Sequence, residues 1–233
     1  MPNLQLKSRL QAVNERIDAA CSNAGRDRNS VTLLAVSKTK PLDDIISAYQ
    51  AGQRHFAENY AQEAVEKRQN APFSDAVWHF IGPLQSNKTR PIAEHFDWVH
   101  TVDRAKIARR LSDQRPPGMA PLNLLIQVNI SKDPAKSGVT PEQAVTLAGQ
   151  ISELPNVRFR GLMTILEADL PAEARLAQFQ SLKNLQVDLI NSHPECSELS
   201  MGMSSDFEQA IAAGATMVRV GSDIFGSRNK PAP

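Results

Sequence analysis

The sequence predicts an α/β fold: a single (β/α)8 TIM barrel over residues 1–233, with an extra N-terminal helix. Three observations carry this. Apolar, β-branched-rich runs alternate with amphipathic, helix-like segments, which indicates βαβ units and a parallel sheet. The runs number eight, the count at which such a sheet closes on itself. A chain of 233 residues suits one compact barrel of this kind. An open doubly wound sheet is the competing arrangement.

Residues 1–25 read as a helix ahead of the first strand, covering the bottom of the barrel. The expected strands are 31–36, 54–57, 78–81, 98–102, 122–129, 157–163, 197–200 and 216–220. The helices between them fall near 41–51, 60–69, 86–96, 103–114, 141–153, 172–191 and 205–213. Pro41 starts one helix and Gly52 follows its end; Thr140-Pro141-Glu142 is a cap with proline in the first turn. The Pro/Gly-rich runs Arg115–Pro121 and Glu167–Pro171 read as loops rather than domain boundaries. The tail Asn229–Pro233 is expected to fray.

Composition excludes several classes. Lys plus Arg total 26 against 25 Asp plus Glu, a net charge of +1, so nucleic-acid binding through bulk charge is disfavoured. Cys21 and Cys196 offer neither a disulfide framework nor metal spacing, and the five histidines show none either. No apolar run reaches membrane-spanning length and no signal pattern opens the chain, which points to a cytoplasmic protein with no membrane partner. Gly82-Pro83-Leu84-Gln85-Ser86-Asn87-Lys88-Thr89 approaches a nucleotide phosphate loop, but Asn87 replaces its second glycine and Pro83 lacks an N–H.

Function in such a barrel sits at the C-terminal ends of the strands. Side chains alternate in direction along a strand, so parity selects the inward ones. Lys38 shares parity with Leu34 and Val36, which places an amine above an apolar floor; a solvated loop lysine is the ordinary alternative. Arg219 shares parity with Met217 and Gly221 and points into the barrel, where it needs a partner: an internal carboxylate or an incoming ligand. Inward acids are scarce; Gln127, Asn129, Glu58 and Asn59 are the nearby polar residues. Gly and Ser cluster after strands seven and eight, at Ser200-Met201-Gly202-Met203-Ser204-Ser205 and Gly221-Ser222, with Ser222–Phe225 as a short extra helix. That is a recurrent phosphate site of barrels, although two ordinary capped turns would look the same.

Several of these segments together resemble a known family. Leu34-Ala35-Val36-Ser37-Lys38-Thr39-Lys40-Pro41, Glu58-Asn59-Tyr60, Trp78-His79-Phe80-Ile81-Gly82-Pro83-Leu84-Gln85-Ser86-Asn87-Lys88, Arg160-Gly161-Leu162-Met163, Leu199–Ser204 and Val218-Arg219-Val220-Gly221 are similar to the pyridoxal phosphate homeostasis proteins, in the same order along nearly the whole chain. The resemblance implies a barrel like the N-terminal domain of alanine racemase, carrying pyridoxal 5′-phosphate and without established catalysis. It implies Lys38 as the lysine of the covalent aldimine and Arg219 as the residue facing the pyridine nitrogen. It implies Ser200, Gly202, Ser204, Gly221 and Ser222 as the phosphate cradle, and Asn59 as a residue of the mouth near the ring. Ser222 stands where the family commonly has threonine, and Ser205 where it has an acid; neither departure removes the cofactor. PLP-dependent apo-enzymes are the implied recipients, and the protein is expected to be a monomer. No residue is assigned a catalytic or metal-binding role. A racemase or lyase using Lys38 with a second group such as Tyr60 is the alternative, as is an aldolase using Lys38 on a sugar phosphate. Against racemisation, the racemase takes its second acid–base group from a further domain that is not expected here.

Overall fold

A computed structural model describes residues 4–226 apart from 132, 134 and 135; the tail segment 229–233 lies outside the described residues. Eight strands follow one another: β1 (Thr32–Val36), β2 (His55–Glu58), β3 (Val77–Phe80), β4 (Trp98–Val102), β5 (Leu122–Gln127), β6 (Val157–Met163), β7 (Glu198–Met203) and β8 (Met217–Val220). They pair in parallel in that order, and β8 returns to β1 to close the barrel. The helices are α1 (Leu4–Asn23), α2 (Leu42–Gln50), α3 (Ala61–Asn70), α4 (Thr89–His95), α5 (Ala105–Gln114), α6 (Pro141–Ser152), α7 (Ala172–Ile190), α8 (Phe207–Ala212) and α9 (Ser222–Phe225). The start of α6 is a full capping box, in which Thr140 and Gln143 each satisfy the other's free N–H.

Strand alternation divides the apolar residues into two bodies. Leu34, Val36, Ala57, Ile81, Leu125, Met163 and Met217 fill the barrel interior. Leu33, Ala35, Val218 and Val220, of the opposite parity, join the larger core between the barrel and its helices. The parity assigned to β1 and β8 from sequence is therefore the parity observed.

Two expectations need correction. The N-terminal helix does not cover the bottom. α1 packs along the side of the barrel against α8, α9 and α2. Among the described residues one turn of helix follows β8, and α1 packs beside it, burying Leu6, Leu10, Val13 and Ile17. Strand β7 also runs to Met203 rather than ending at residue 200. Met201-Gly202-Met203 carries little strand propensity. Pairing with β8 carries the strand on: Met203 is in register with Arg219 after an irregularity at Gly202, and the Met203 N–H donates locally to Asp206 Oδ1 at 2.6 Å.

Candidate functional site

The C-terminal ends of the strands surround a cavity of about 410 Å3. Lys38, Asn59, Ser204, Arg219, Gly221 and Ser222 all line it, over apolar walls that include Val36 and Ile81. The volume is that of a small-molecule site. Two expected members of the phosphate cradle are not among the lining residues. Ser200 is fully buried below the cavity, where its hydroxyl meets His100 and Arg219. Gly202 has φ +91°, and a Cβ there would lie 2.6 Å from the Ala210 Cβ and 2.9 Å from the Phe207 Cα. Its place is in the close packing of α8 against β7 rather than in the cavity wall.

Arg219 is 4% exposed and, among the described residues, is held without a carboxylate in hydrogen-bond contact. Nη1 donates to Ser200 Oγ at 2.7 Å and Nη2 to the Thr164 carbonyl at 2.8 Å. Burial pushes the guanidinium down to about 10, and Asp206 pulls it back up, so it stays charged at neutral pH. Glu58, one of the polar residues considered near it, faces the other way. It ends β2 with Ala57 inward, and its own side chain turns toward α3.

Glu58 belongs to a brace behind Lys38. The Lys67 amine donates to Glu58 Oε1 at 2.8 Å, Glu63 Oε1 at 2.5 Å and the Ser37 carbonyl at 2.8 Å. Ser37 Oγ donates to the same Glu58 oxygen at 2.6 Å. Burial pushes the Glu58 carboxyl up, while Lys67 and Ser37 pull it down. The next residue after Lys38 is Thr39, at φ +63°. A β-branched residue in that region is strained by about 1–3 kcal/mol. Its N–H is held by Glu63 Oε1 at 2.7 Å. Lys38 is thus carried on a turn fixed by α3. Sequence reading missed this brace, because Lys67 and Glu63 lie on a helix with no motif.

The opposite side of the mouth is fixed by α1. Arg16 donates to the Ser204 carbonyl at 3.1 Å, to Glu208 at 2.8 Å and to Asp223 at 2.6 Å. That ties the loop after β7 to α9, and Ser204 Oγ and Ser222 Oγ stand 3.3 Å apart. A Cβ on Gly221 would come within 3.2 Å of the Val36 carbonyl oxygen, so the backbone approaches closely there. Asn59 Oδ1 is buried with no hydrogen-bond partner among the described residues. Tyr60 is half exposed and does not line the cavity. Among the described residues no His/Cys/Asp/Glu group is placed to hold a metal, and no helix is long and apolar enough to cross a membrane.

This is a (β/α)8 barrel with a cavity of small-molecule size at its C-terminal mouth, lined by a lysine after β1, an inward arginine on β8 and hydroxyls after β7 and β8. A family model described as the N-terminal domain of alanine racemase matches residues 8–229. The pyridoxal phosphate homeostasis protein of Vibrio cholerae is 53% identical over 228 residues, covering 96% of this chain and 97% of the relative. That of Escherichia coli K12 is 50% identical over 226 residues, covering 94% and 95%. The chain belongs to the pyridoxal phosphate homeostasis protein family, within the wider alanine racemase N-terminal domain group. Among solved structures, PipY of Synechococcus elongatus, described with PLP bound, superposes with a TM-score of 0.83 at 38% identity, over 95% of this chain and all of that one (100%). An alanine racemase of Clostridium difficile shares the fold, with a TM-score of 0.72 at 14% identity; it covers 93% of this chain, which spans 58% of the racemase.

Proposed function

We propose that this protein holds pyridoxal 5′-phosphate at the barrel mouth as a reserve for PLP-dependent enzymes, with Lys38 as the covalent anchor. The observation that carries this is the convergence of Lys38, Arg219, Ser204 and Ser222 on one cavity of about 410 Å3. The donor set suits the ligand. An amine meets an aldehyde, hydroxyls and close backbone meet a phosphate, and a guanidinium meets a ring nitrogen. The apolar walls at Val36 and Ile81 suit the ring faces, and the unpaired Asn59 Oδ1 is an acceptor available to a ligand. The identity of the homologous proteins supports the same reading.

When bound, the group supplies an aldehyde that a neutral lysine amine captures and a pyridine ring that withdraws electrons. The chain's residues decide how far that chemistry goes. Lys38 would hold the group covalently through Nζ, the aldehyde oxygen leaving as water. Ser204, Gly221 and Ser222 bind the phosphate; Ser200 and Gly202 serve the cradle from behind, the first by holding Arg219 and the second by letting α8 pack close. Arg219, a charged donor, disfavours a proton on the ring nitrogen facing it, and an unprotonated ring is a weaker electron sink. That favours storage over catalysis. Tyr60 stands outside the cavity, so it does not provide a second acid–base group there. In this reading the protein acts as a monomer in the cytoplasm and its recipients are apo-enzymes.

The test is an absorbance spectrum of the purified protein with added pyridoxal phosphate, followed by borohydride reduction and peptide mass spectrometry. A visible band that reduction fixes onto Lys38 is expected. A colourless protein that takes up no pyridoxal phosphate overturns the proposal. Incubation with amino acids in deuterated water is expected to give no α-proton exchange beyond free cofactor; rapid exchange would make it an enzyme.

A further inference from the structure

Three histidines run through the barrel interior in one line. His55 Nδ1 lies 3.0 Å from His79 Nε2, His79 Nδ1 lies 2.9 Å from His100 Nε2, and His100 Nδ1 lies 2.9 Å from Ser200 Oγ. Arg219 closes the line by donating to Ser200 Oγ at 2.7 Å. His79, His100 and Ser200 are fully buried, while His55, at the start of β2, is half-buried. The line therefore runs from the end of the barrel opposite the mouth to the arginine beneath the cavity.

Its polarity follows from its last member. A guanidinium only donates. Among the described residues Ser200 Oγ has two partners, Arg219 and His100. Accepting from Arg219, it has its own hydrogen to place, and His100 Nδ1 is the available acceptor. A buried hydroxyl hydrogen without an acceptor is disfavoured. His100 then carries its hydrogen on Nε2 and gives it to His79 Nδ1. His79 in turn gives its Nε2 hydrogen to His55 Nδ1. All three rings take the Nε2–H tautomer, and all three are neutral.

We propose that His55, His79, His100 and Ser200 are positioning residues, a hydrogen-bond line of single polarity that fixes the orientation of Arg219 and so the charge it presents to a bound pyridine ring. The last clause rests on the function proposed above; the tautomer pattern does not. Among the described residues Arg219 has one other hydrogen-bond partner, the Thr164 carbonyl, so the line decides which way the guanidinium plane turns. The charged groups near the line are few. Asp97 acts on His55, and Arg219 on His100. Asp206 acts on Arg219, and Arg160, itself near Glu198, lies over the Trp98 ring that stacks on His79. No carboxylate is hydrogen-bonded to either inner ring among the described residues. Burial pushes His79 and His100 well below the usual histidine range, in keeping with neutral rings.

Long-range proton–nitrogen NMR of the imidazoles in cofactor-free protein tests the polarity. His79 and His100 are expected to show a pyrrole-type Nε2 and a pyridine-type Nδ1, unchanged across neutral pH. Ser200→Ala is expected to lose that pattern at His100, and Ser200→Thr to restore it. With pyridoxal phosphate added, Ser200→Ala is expected to shift the absorbance maximum of the bound form, and Ser200→Thr to return it. His55→Phe, at the half-buried end, covers the case in which Ser200→Ala fails to fold. It removes the terminal acceptor and is expected to redistribute the hydrogen on His79. An Nδ1–H or mixed tautomer at His100 in the parent protein, or a spectrum indifferent to Ser200→Ala, overturns the proposal; so does an unchanged His79 in His55→Phe. A protein with the expected tautomers that takes up no pyridoxal phosphate overturns the proposed function and leaves the polarity of the line supported.

Discussion

Lys67 Nζ and Glu58 Oε1 meet at 2.8 Å in the layer between barrel and helices, the carboxylate fully buried and the amine 8% exposed. The same amine donates to the Ser37 carbonyl, one residue before Lys38. A buried ion pair is weak evidence for net stability, because desolvation offsets the attraction. Its value here is positional: it ties α3 to the turn that carries Lys38.

Lys67→Met is expected to destabilise the protein by about 3–5 kcal/mol at neutral pH, since it strands a buried carboxylate. Adding Glu58→Leu should recover most of the loss. The pH dependence has a definite sign. The folded Glu58 pKa is raised from 4.5, with burial the largest cause and Lys67 the main opposing one. A raised carboxyl contributes stability below 4.5 that is lost as pH rises through the folded value. Without Lys67 that value rises further, so the Lys67→Met penalty should shrink as pH falls. Denaturant unfolding of both proteins at neutral and acidic pH measures it; a penalty independent of pH would sink the argument.

The inner histidines give the opposite slope. His79 and His100 are held below 6.5 by burial first, then by neighbouring His55, His100 and Arg219. A depressed histidine contributes stability above 6.5 that is lost as pH falls through the folded value. Each neutral buried ring gives about 1.4 kcal/mol per pH unit below its unfolded value, opposed in part by Glu58 while it keeps its proton. His79→Gln should therefore flatten the acid side of the stability profile by about 1.4 kcal/mol per pH unit. The change in denaturation midpoint against pH reads it, and parallel profiles for parent and variant would refute it.

Lys38→Ala separates anchoring from binding. It should abolish the reducible visible band and leave weak, reversible uptake of pyridoxal phosphate through Ser204, Gly221 and Ser222. Equilibrium dialysis with absorbance detection distinguishes the two. A variant that keeps a borohydride-fixed adduct would move the anchor to another amine, with Lys40 the nearest candidate on the cavity wall.

The barrel and the inward placement of Lys38 and Arg219 were legible because both follow from period-two alternation, whereas two cradle residues expected from the Gly/Ser cluster, Ser200 and Gly202, do not line the cavity. Leu34, Val36 and Met217 went inward, as parity required, and carried Lys38 and Arg219 with them. The partner of Arg219 was not legible. Ser200 stood in a Gly/Ser cluster that suggested anion binding, and nothing local marks a hydroxyl as one guanidinium's acceptor across two strands. The histidine line had a signal that went unused: His79 shares parity with Ile81, an inward residue of the barrel. Metal spacing was the wrong test for it, because the three rings come from three neighbouring strands and meet only on closure. Lys67 was missed for a related reason: Glu63 is its i,i+4 neighbour, but the two partners that tie it to the turn at Ser37 and to Glu58 lie 30 and 9 residues away.

The near-miss phosphate loop at Gly82 has a steric explanation. A Cβ on Gly82 would lie 1.9 Å from the Asn59 carbonyl oxygen and 2.8 Å from the Asn59 Cα. Those are backbone atoms, so no rotamer change relieves the clash. Thr101 Oγ1 donates to the Gly82 carbonyl at 2.6 Å and holds it from the other side. Gly82→Ala must therefore push the ends of β2 and β3 apart and move Asn59 with them. Overpacking of this kind costs about 1–3 kcal/mol, and more where the neighbour is rigid. The control is Gly149, which lies inside α6 with nothing within 4 Å of a Cβ. Gly149→Ala should stabilise the protein by about 0.4–1 kcal/mol. Thermal unfolding should thus move in opposite directions for the two variants, and pyridoxal phosphate affinity should fall only in Gly82→Ala. If that variant loses stability with affinity intact, Asn59 has no part in the site.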